Sequence, residues 1–285
     1  MRDIMVQNTQ HKKLDNGNEP LLDNRPGQEK TAQFGYSEVP ENEKVKRVLR
    51  HFDIVAKKYN MMNTLLSFGI HYLWKRTAIK MLKLREGHEV IDVCGGTGDL
   101  TRSAAKAVGP TGRVVLYDIN RAMMLMGRPK ALKSPYGKAI HYVEGDAEEI
   151  SFEACSFDAA MVGFGIRNLT HMEKGFSEMY RVLKPSGKLM CLEFSQPTAP
   201  LFRWLYDFYS FHIMPLLGEL IVGSRQAYTY LPESIKMFSS PEDLTDMLKR
   251  VGFSQVIHRK LTNGIAVIHL AKKGNENRSN LKKAK

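Results

Sequence analysis

Short apolar runs alternate with amphipathic stretches through the middle of the chain. The apolar runs read as buried strands because each is short and bounded by turn residues; they lie at 88–94, 113–118, 139–146, 157–164 and 187–194. Helical spacing follows at 99–108, at 121–132 and, after the fourth run, up to residue 181. Strands that alternate with helices predict an α/β protein with a parallel sheet covered on both faces.

The two ends of the chain depart from this alternation. Near the C-terminus, SQVIHRK (254–260) and GIAVIHL (264–270) flank a tight Thr-Asn-Gly link, which predicts a β-hairpin and one antiparallel strand. Before the first strand, helical spacing over residues 41–59 and 71–84 predicts an N-terminal helical cap.

Residues 201–222 are apolar enough to raise the question of a membrane span. Arg203, Asp207, His212 and Glu219 lie inside the segment, and one charge at the centre of a bilayer costs about 2.5–3.5 kcal/mol on insertion scales. We therefore expect an aromatic-rich insertion that folds over the strand ends and forms part of a substrate cavity.

The first predicted strand runs directly into a glycine-rich turn of Gly95, Gly96, Thr97 and Gly98. Glycines allow a ligand to approach the backbone closely, and the following helix offers free N–H groups at its N-terminus. In an open α/β sheet, ligands bind beyond the carboxyl ends of the strands. A tight strand-to-helix turn without a ligand is the competing interpretation.

The next two predicted strands each end in a carboxylate. Asp118 is placed to accept hydrogen bonds from both hydroxyls of a ribose. Asp146, followed by Ala147, can accept a hydrogen bond from an adenine amino group. A glycine turn, a ribose acceptor and a base acceptor on three consecutive strand ends are more specific together than any one of them alone.

Two common nucleotide motifs do not fit this turn. A nicotinamide enzyme would show G-x-G-x-x-G, and a P-loop protein would show G-K-[ST] after its glycines, whereas this turn reads G-G-T-G. Ribose and adenine acceptors without a pyrophosphate site favour S-adenosylmethionine, whose cationic sulfonium and ammonium groups suit acidic strand ends. No spacing of His, Asp or Glu indicates a metal, and methyl transfer from a sulfonium requires none.

The charge of the chain points away from a nucleic-acid partner. The 285 residues include 42 Lys and Arg against 30 Asp and Glu, a formal charge of +12, but the last 14 residues, KKGNENRSNLKKAK, carry +5 of it. The other 271 residues carry only +7, and their aromatic residues cluster in a segment poor in charge, unlike a nucleic-acid enzyme. Cys94, Cys155 and Cys191, without a C-x-x-C pair, fit a reducing intracellular compartment.

Longer segments resemble the ubiquinone/menaquinone biosynthesis C-methyltransferase family over about residues 33–269. GGTGDL (95–100) is common to methyltransferases, whereas FGIRNLT (164–170), YNMMN (59–63) and YLPESI (230–235) are characteristic of this family. Further matching segments are SFGIH (67–71), WK (74–75), DIN (118–120), RVLKPSGKLMCLEFS (181–195), YSFHIMP (209–215) and LTNGIAVIH (261–269).

The resemblance implies a Rossmann-like class I S-adenosylmethionine methyltransferase fold: a mostly parallel seven-stranded sheet with an antiparallel terminal hairpin, the N-terminal helical cap and the aromatic-rich insertion. We expect a disordered arm at 1–30, one domain at 31–271 and a basic disordered tail at 272–285. Within the domain, the expected parts are the helical cap (31–86), the cofactor-binding core (87–195), the substrate-cavity insertion and a helix (196–253), and the terminal hairpin (254–271).

The resemblance also implies contacts to the cofactor. Thr97, Asp118, Asp146 and Ala147 are expected to bind S-adenosylmethionine. The family often has Ser before the phenylalanine of FGIRN, whereas this chain has Gly163, which can contribute only its backbone.

The implied reaction is C-methylation of a polyprenylated quinol ring in menaquinone or ubiquinone biosynthesis, and the sequence leaves the choice between the two quinones open. We assign Arg167 to stabilising the phenolate, Asn168 to orienting the substrate and Tyr59 to pairing with its hydroxyl. A surface ion pair for Arg167 and lid packing for Tyr59 are the competing interpretations. Aromatic and apolar residues of the insertion are expected to form a channel for the isoprenoid tail: Trp204, Tyr206, Phe208, Tyr209, Phe211, Ile213 and Met214.

The chain departs from the family at one further point. Thr229 stands where the family has Arg between two aromatic residues, and Ser224, Arg225 and Gln226 replace an acidic pair. If those polar residues orient the substrate headgroup in the family, this chain orients it differently.

Other classes of function remain open to the sequence. They are methylation of RNA or another small molecule, and a non-catalytic ligand-binding subunit of an assembly. We expect a cytoplasmic protein that associates transiently with the inner face of the membrane, where its basic tail would help. Whether it forms a homodimer or joins a quinone-biosynthesis complex is not fixed by the sequence.

Overall fold

The computed structural model describes residues 30–275, in which a seven-stranded sheet follows a small N-terminal hairpin. In chain order the strands are β1 (Thr31–Phe34), β2 (Ser37–Pro40), β3 (Glu89–Val93), β4 (Arg113–Asp118), β5 (Ile140–Glu144), β6 (Phe157–Gly163), β7 (Leu183–Phe194), β8 (Gln255–Leu261) and β9 (Ala266–Lys272). The α-helices are α1 (Glu41–Val55), α2 (Tyr59–Leu66), α3 (Ile70–Leu82), α4 (Asp99–Val108), α5 (Arg121–Leu132), α6 (Met172–Val182), α7 (Pro200–Phe208), α8 (Met214–Val222), α9 (Arg225–Met237) and α10 (Pro241–Val251).

The seven-stranded sheet has the order β5-β4-β3-β6-β7-β9-β8. The pairs from β5 to β7 are parallel, whereas β9 runs antiparallel to both β7 and β8. The predicted parallel sheet with an antiparallel terminal hairpin is therefore confirmed. The strand order reverses between β3 and β6, which is the point where an open α/β sheet binds its ligands.

Apolar side chains cover both faces of this sheet. On one face, Phe176 of α6 and Leu248 of α10 belong to one buried cluster with Ile91 of β3. On the other face, Trp74 of α3 belongs to a cluster with Val90. Because side chains alternate between the two faces along a strand, the short β3 contributes to both cores, with Ile91 and Val93 in the first cluster and Val90 in the second.

The N-terminal cap contains a hairpin, so the helical interpretation of residues 31–86 was incomplete. β1 and β2 pair in antiparallel register around a turn at Gly35. The ring of Phe34 stacks on Tyr230 with 4.3 Å between centroids, and the Tyr36 N–H donates to the Glu233 carboxylate. The hairpin is thus stabilised by α9, almost 200 residues further along the chain.

The cap also contains one more helix than the pattern predicts. The single helix expected at 41–59 is α1, which ends at Val55; a 3₁₀ turn and then α2 follow it. Met62 and Leu66 of α2 lie in one buried cluster with Met214 and Tyr228. Burial of α2 therefore depends on the insertion.

The insertion forms three consecutive helical segments: α7, a π-helical stretch at Tyr209–Ile213, and α8. Pro215 lies in the first turn of α8, where its missing N–H is tolerated. Within residues 30–275, no helix is both long enough and apolar enough to cross a membrane.

The C-terminal strand runs away from the ligand-binding edge of the sheet. Ala266 pairs with Phe194 at the end of β7, and Lys272 pairs with Lys188 closer to its beginning. β9 thus includes the first residue of the expected tail and leaves the sheet at the edge opposite the carboxyl ends of β3–β7. The expected arm, except Lys30, and residues 276–285 of the tail lie outside the described residues.

Candidate active site

A cavity of about 410 Å³, the first cavity, lies at the carboxyl ends of β3, β4, β5 and β6. Seven of the eight residues predicted to bind the cofactor line it: Gly95, Gly96, Thr97, Asp118, Asp146, Ala147 and Gly163. Gly98 does not line this cavity. It precedes α4 with a φ of 74°, a conformation that glycine adopts without steric cost.

Asp118 ends β4 with both carboxylate oxygens engaged by the backbone. The Gly96 N–H donates to Oδ2 and the Asn120 N–H donates to Oδ1, each at 2.7 Å. Burial raises the pKa of Asp118, and these two hydrogen bonds limit the rise. Each carboxylate oxygen has a second lone pair, so the group retains acceptor capacity toward the cavity.

Asp92 of β3 also lines the first cavity, although the sequence interpretation passed over it. The Thr101 hydroxyl donates to its Oδ2 at 2.5 Å, while Oδ1 is buried without a hydrogen-bond partner among residues 30–275. Burial raises the pKa of Asp92 to about 7, and the neighbouring Asp118 adds to the rise. A buried carboxylate oxygen that lacks a partner is a favourable place for a cationic ligand group.

The N-terminal cap covers the first cavity and is tied to its cofactor turn. Val48 of α1 contributes to the lining. The Asn120 side chain donates to Asp53 Oδ1 at 2.9 Å, and the Thr97 hydroxyl donates to Asn60 Oδ1 at 2.9 Å. A ligand at the strand ends would therefore be enclosed by α1 and α2, which reduces its contact with water.

A second cavity of about 320 Å³ adjoins the first and has a mainly aromatic and aliphatic lining. α1, α2, α3, α7 and α9 all contribute to it. Three of the seven insertion residues expected in an apolar channel line it: Tyr206, Tyr209 and Met214.

The other four residues expected in the channel line neither cavity. Trp204, Phe208 and Ile213 are exposed, and Phe211 stacks on Tyr36 of the hairpin. The expectation of a channel was wrong for these four because α7 and the π-helical stretch after it present only part of their apolar surface to the second cavity.

Four residues line both cavities: Phe52, Tyr59, Lys75 and Phe164. They mark the place where ligands in the two cavities can meet. The Lys75 ammonium lies 2.7 Å from Asp99 Oδ2 at the start of α4. Burial alone would raise the pKa of Asp99, but Lys75 and Arg102 bring it below its ordinary value, so the ion pair persists across the neutral range.

Arg167 lines the second cavity and forms a buried ion pair. Its Nη1 donates to Glu193 Oε1 at 2.9 Å and to the Phe164 carbonyl at 2.7 Å. Its Nε donates to the Ser234 hydroxyl at 3.3 Å, and the guanidinium carbon lies 5.4 Å from the centre of the Phe194 ring. Arg167 is therefore fixed in direction and is not a surface residue.

Asn168 lines the first cavity, and α9 fixes its orientation. The Tyr230 hydroxyl donates to Asn168 Oδ1 at 2.9 Å. With its oxygen engaged, the Asn168 amide N–H₂ group is left as a donor. Burial raises the pKa of Tyr230 to about 12, so its hydroxyl keeps its proton and remains the donor.

Tyr59 begins α2 beside Phe52, with 6.2 Å between ring centroids. It reaches both cavities, whereas Arg167 reaches only the second and Asn168 only the first. The structure thus places the three predicted catalytic residues around the junction of the two cavities.

His51 of α1 is a further polar residue of the second cavity that the sequence interpretation did not select. Burial, together with the nearby Arg167 charge, lowers its pKa to about 4. Its ring is therefore neutral near pH 7 and adds no charge to the cavity.

A model of the ubiE/COQ5 methyltransferase family matches residues 38–273, most of the chain. The chain belongs to this family. The ubiquinone/menaquinone biosynthesis C-methyltransferase UbiE of Stutzerimonas stutzeri (strain A1501) is 46% identical over 241 residues, covering 85% of this chain and 94% of the relative. The UbiE of Pseudomonas savastanoi pv. phaseolicola is 45% identical over 251 residues, covering 87% and 98%.

The fold of this ubiE/COQ5 family member also matches solved structures. A SAM-dependent methyltransferase from Aquifex aeolicus superposes with a TM-score of 0.50 at 19% identity, covering 70% of this chain and 88% of that one. The similarity supports the fold class predicted from the alternating strands and helices.

The ubiE/COQ5 chain accommodates its departures from the family pattern locally. A Cβ added to Gly163 would lie 2.3 Å from Leu100 Cδ1, so Ser at this position requires Leu100 to move. Thr229 donates to the Arg225 carbonyl within α9, and the Ser224 hydroxyl caps the same helix. The α9 departures, at Ser224, Arg225, Gln226 and Thr229, do not reach the lining of either cavity, whereas Gly163 lines the first cavity.

Proposed function

We propose that this chain transfers a methyl group from S-adenosylmethionine to a ring carbon of a polyprenylated quinol in menaquinone or ubiquinone biosynthesis. The observation that carries the proposal is the meeting of two unlike cavities. One is formed by polar strand ends and the other is mainly apolar, and they share Tyr59 and Lys75 at their junction.

The first cavity has the groups that S-adenosylmethionine requires. Asp118 accepts the ribose hydroxyls and Asp146 the adenine amino group, while the Gly95–Gly96 backbone allows close approach. The unpartnered Oδ1 of Asp92 is a suitable acceptor for the cationic amino acid part of the cofactor. When bound, S-adenosylmethionine supplies a methyl group activated by the positive charge on sulfur.

The residues around the junction prepare the quinol ring. Tyr59 pairs with the quinol hydroxyl, and the Arg167 guanidinium stabilises the phenolate formed when that hydroxyl gives its proton to water. The ring carbon that accepts the methyl group then gives its own proton to water, which restores the aromatic ring. Asn168 orients the ring with the amide donor that Tyr230 leaves available. Holding the reacting atoms about 3–3.5 Å apart supplies the remaining rate enhancement.

The second cavity suits the rest of the substrate. Its insertion residues Tyr206, Tyr209 and Met214 offer an apolar surface for the ring and the first isoprenoid units. Because a polyprenylated quinol dissolves in lipid, we place the enzyme in the cytoplasm with transient attachment to the inner face of the membrane.

A product assay with purified protein tests this function. S-adenosylmethionine is supplied with a short-chain demethylmenaquinol or with a short-chain benzoquinol precursor, each soluble in water, and products are identified by mass. We expect addition of one methyl group to at least one of the two quinols. Cofactor binding without methylation of either, or methylation of RNA in the same preparation instead, would refute the proposal.

A further inference from the structure

α7 presents a continuous apolar stripe to the outside of the protein. None of its nine residues is buried. Leu201, Trp204, Leu205 and Phe208 follow the spacing of one helix face, and Leu201 and Trp204 are 73% and 65% exposed. A surface helix normally turns such a stripe toward the core, so this orientation calls for a partner outside the described residues.

The polar contacts of α7 hold it in this orientation. Asp207 Oδ2 lies 2.7 Å from Lys236 Nζ on α9, and Arg203 Nε donates to the Pro197 carbonyl at 2.9 Å. These two contacts fix the orientation of α7 while Leu201, Trp204 and Phe208 remain exposed.

α7 also contributes exposed residues to the lining of the second cavity. Phe202 and Leu205 line that cavity and are also exposed. Phe68, at the link between α2 and α3, lines the same cavity and is 79% exposed. Residues that both line the cavity and are exposed mark where it opens to the outside. We call Phe68, Leu201, Phe202, Trp204, Leu205 and Phe208 the apolar rim.

The chain segment that carries Phe68 has basic residues but no acidic ones. Residues 56–82 contain five Lys and Arg and no Asp or Glu. Lys75 is paired with Asp99, whereas Lys57, Lys58, Arg76 and Lys80 are exposed. Basic residues close to an anionic bilayer are attracted to its surface.

We propose that the apolar rim docks this protein onto an anionic lipid bilayer, so that the second cavity opens directly into the lipid. The proposal rests on the quinol function proposed above, because an apolar substrate must pass from the bilayer into the cavity. Trp204 suits the boundary between headgroups and acyl chains, where tryptophan is enriched.

A bilayer explains this surface better than a second copy of the chain does. A second copy seated on the rim would cover the opening through which a quinol has to enter, whereas a bilayer supplies that quinol there. The basic segment 56–82 would also face its own like charges in a symmetric dimer built on this surface.

The test substitutes the three residues of the apolar rim that do not line either cavity. The variant Leu201→Gln, Trp204→Gln, Phe208→Gln changes residues that line neither cavity, and glutamine preserves helix propensity. Ile257→Gln is the matched control, because Ile257 is 61% exposed on β8, away from the rim. Binding is measured by flotation with phosphatidylcholine vesicles, with and without phosphatidylglycerol, and oligomeric mass by light scattering.

We expect the wild type and the Ile257 variant to float with phosphatidylglycerol vesicles and the triple variant to lose at least about tenfold in binding. The triple variant should methylate a water-soluble short-chain quinol at the wild-type rate, but not a long-chain quinol embedded in vesicles. The docking surface is refuted if the wild type does not bind vesicles or if the triple variant binds equally well. It is equally refuted if the triple substitution dissociates a dimer and leaves vesicle binding unchanged.

The two proposals can fail separately. Absence of methylation of the short-chain quinol by the wild type counts against the proposed function, because that assay contains no bilayer. The flotation comparison requires no turnover, so its outcome concerns the docking surface alone.

Discussion

The Arg167 guanidinium and the Glu193 carboxylate form an ion pair with 2.9 Å between Nη1 and Oε1, and their side chains are only 7% and 2% exposed. Arg167 lines the second cavity, whereas Glu193 lines neither. Substitutions on the two sides of the pair therefore separate a catalytic contribution of Arg167 from its structural one.

Arg167→Lys keeps a positive charge but loses the planar guanidinium that engages Glu193, Phe164 and Ser234 together. We expect kcat to fall by about 100-fold or more, as for loss of a donor to a developing oxyanion. The dissociation constant of S-adenosylmethionine should stay within about threefold, because Arg167 does not line the first cavity. Steady-state kinetics and calorimetry provide the two values.

Glu193→Gln is the control for this pair. It disturbs the same ion pair without changing a residue of either cavity, so it should lower the free energy of unfolding while costing kcat much less than Arg167→Lys does. Arg167→Ala should lower the free energy of unfolding further, by about 3–5 kcal/mol, because it leaves the buried Glu193 carboxylate unpaired. Equal loss of kcat in the Glu193→Gln and Arg167→Lys variants would contradict the phenolate assignment, and so would unchanged turnover in Arg167→Ala.

Tyr230 acts through Asn168 in this account. Tyr230→Phe removes only the hydroxyl that donates to Asn168 Oδ1, and one such hydrogen bond contributes about 0.5–1.5 kcal/mol. We expect kcat to fall by about two- to tenfold with little change in KM for the cofactor. In an Asn168→Ala background, Tyr230→Phe should have no further effect on kcat, whereas an additive effect would show that Tyr230 acts independently.

Asp92 should make cofactor binding depend on pH. Its carboxyl has a pKa near 7, and only the ionised form attracts a cation, so affinity for S-adenosylmethionine should rise between about pH 5.5 and about pH 7.5. Asp92→Asn should weaken binding at the upper pH by about tenfold or more and flatten the dependence. Calorimetric titration across this range provides the measurement, and a wild-type slope retained in Asp92→Asn would refute the assignment.

The Asp92 carboxyl should also make the free energy of unfolding of the cofactor-free protein fall as pH rises. The pKa of Asp92 is raised from 3.8 to about 7, so between these values the folded protein holds a proton that the unfolded chain has released. The free energy of unfolding therefore falls through this window. Thermal unfolding of the wild type and Asp92→Asn without cofactor should show a smaller fall for the variant. An equal fall in both would place the pH sensitivity elsewhere.

Truncation after Asn275 tests the role of the basic tail. β9 leaves the sheet at the edge opposite the cavities, so we expect vesicle binding to fall less on truncation than in the triple variant of the apolar rim. Truncation should start after Asn275 because Lys272 lies in β9. If truncation abolishes flotation while the rim variant retains it, the tail, not the rim, provides the membrane contact.

The local pattern of apolar and polar residues was sufficient to predict the central sheet but not the whole N-terminal cap. The strands around Val90 and Asp118 are apolar runs bounded by turns, and such runs need no distant partner to be recognised. By contrast, the β1–β2 hairpin depends on Tyr230 and Glu233, far along the chain. Contacts of this kind have no local sequence signal.

The residues of the candidate site could also be predicted only in part from the sequence. Strand-end residues such as Asp118 carry a positional signal, whereas the meeting of Tyr59 and Lys75 with Phe164 arises only when the cap packs on the sheet. The sequence pattern does mark Asp92 and Glu193, although neither was predicted as a site residue. Each is an acidic residue inside an apolar strand, where a charge is costly unless it is paired or functional.

The position of the transferred methyl group tests the central claim most directly. The purified protein is incubated with S-adenosylmethionine carrying a deuterated methyl group and with a short-chain demethylated quinol, and the product is fragmented in a mass spectrometer. The account predicts one intact deuterated methyl group on a ring carbon, with the hydroxyl oxygens unmethylated. A label on oxygen, or bound cofactor with no labelled quinol, would contradict it.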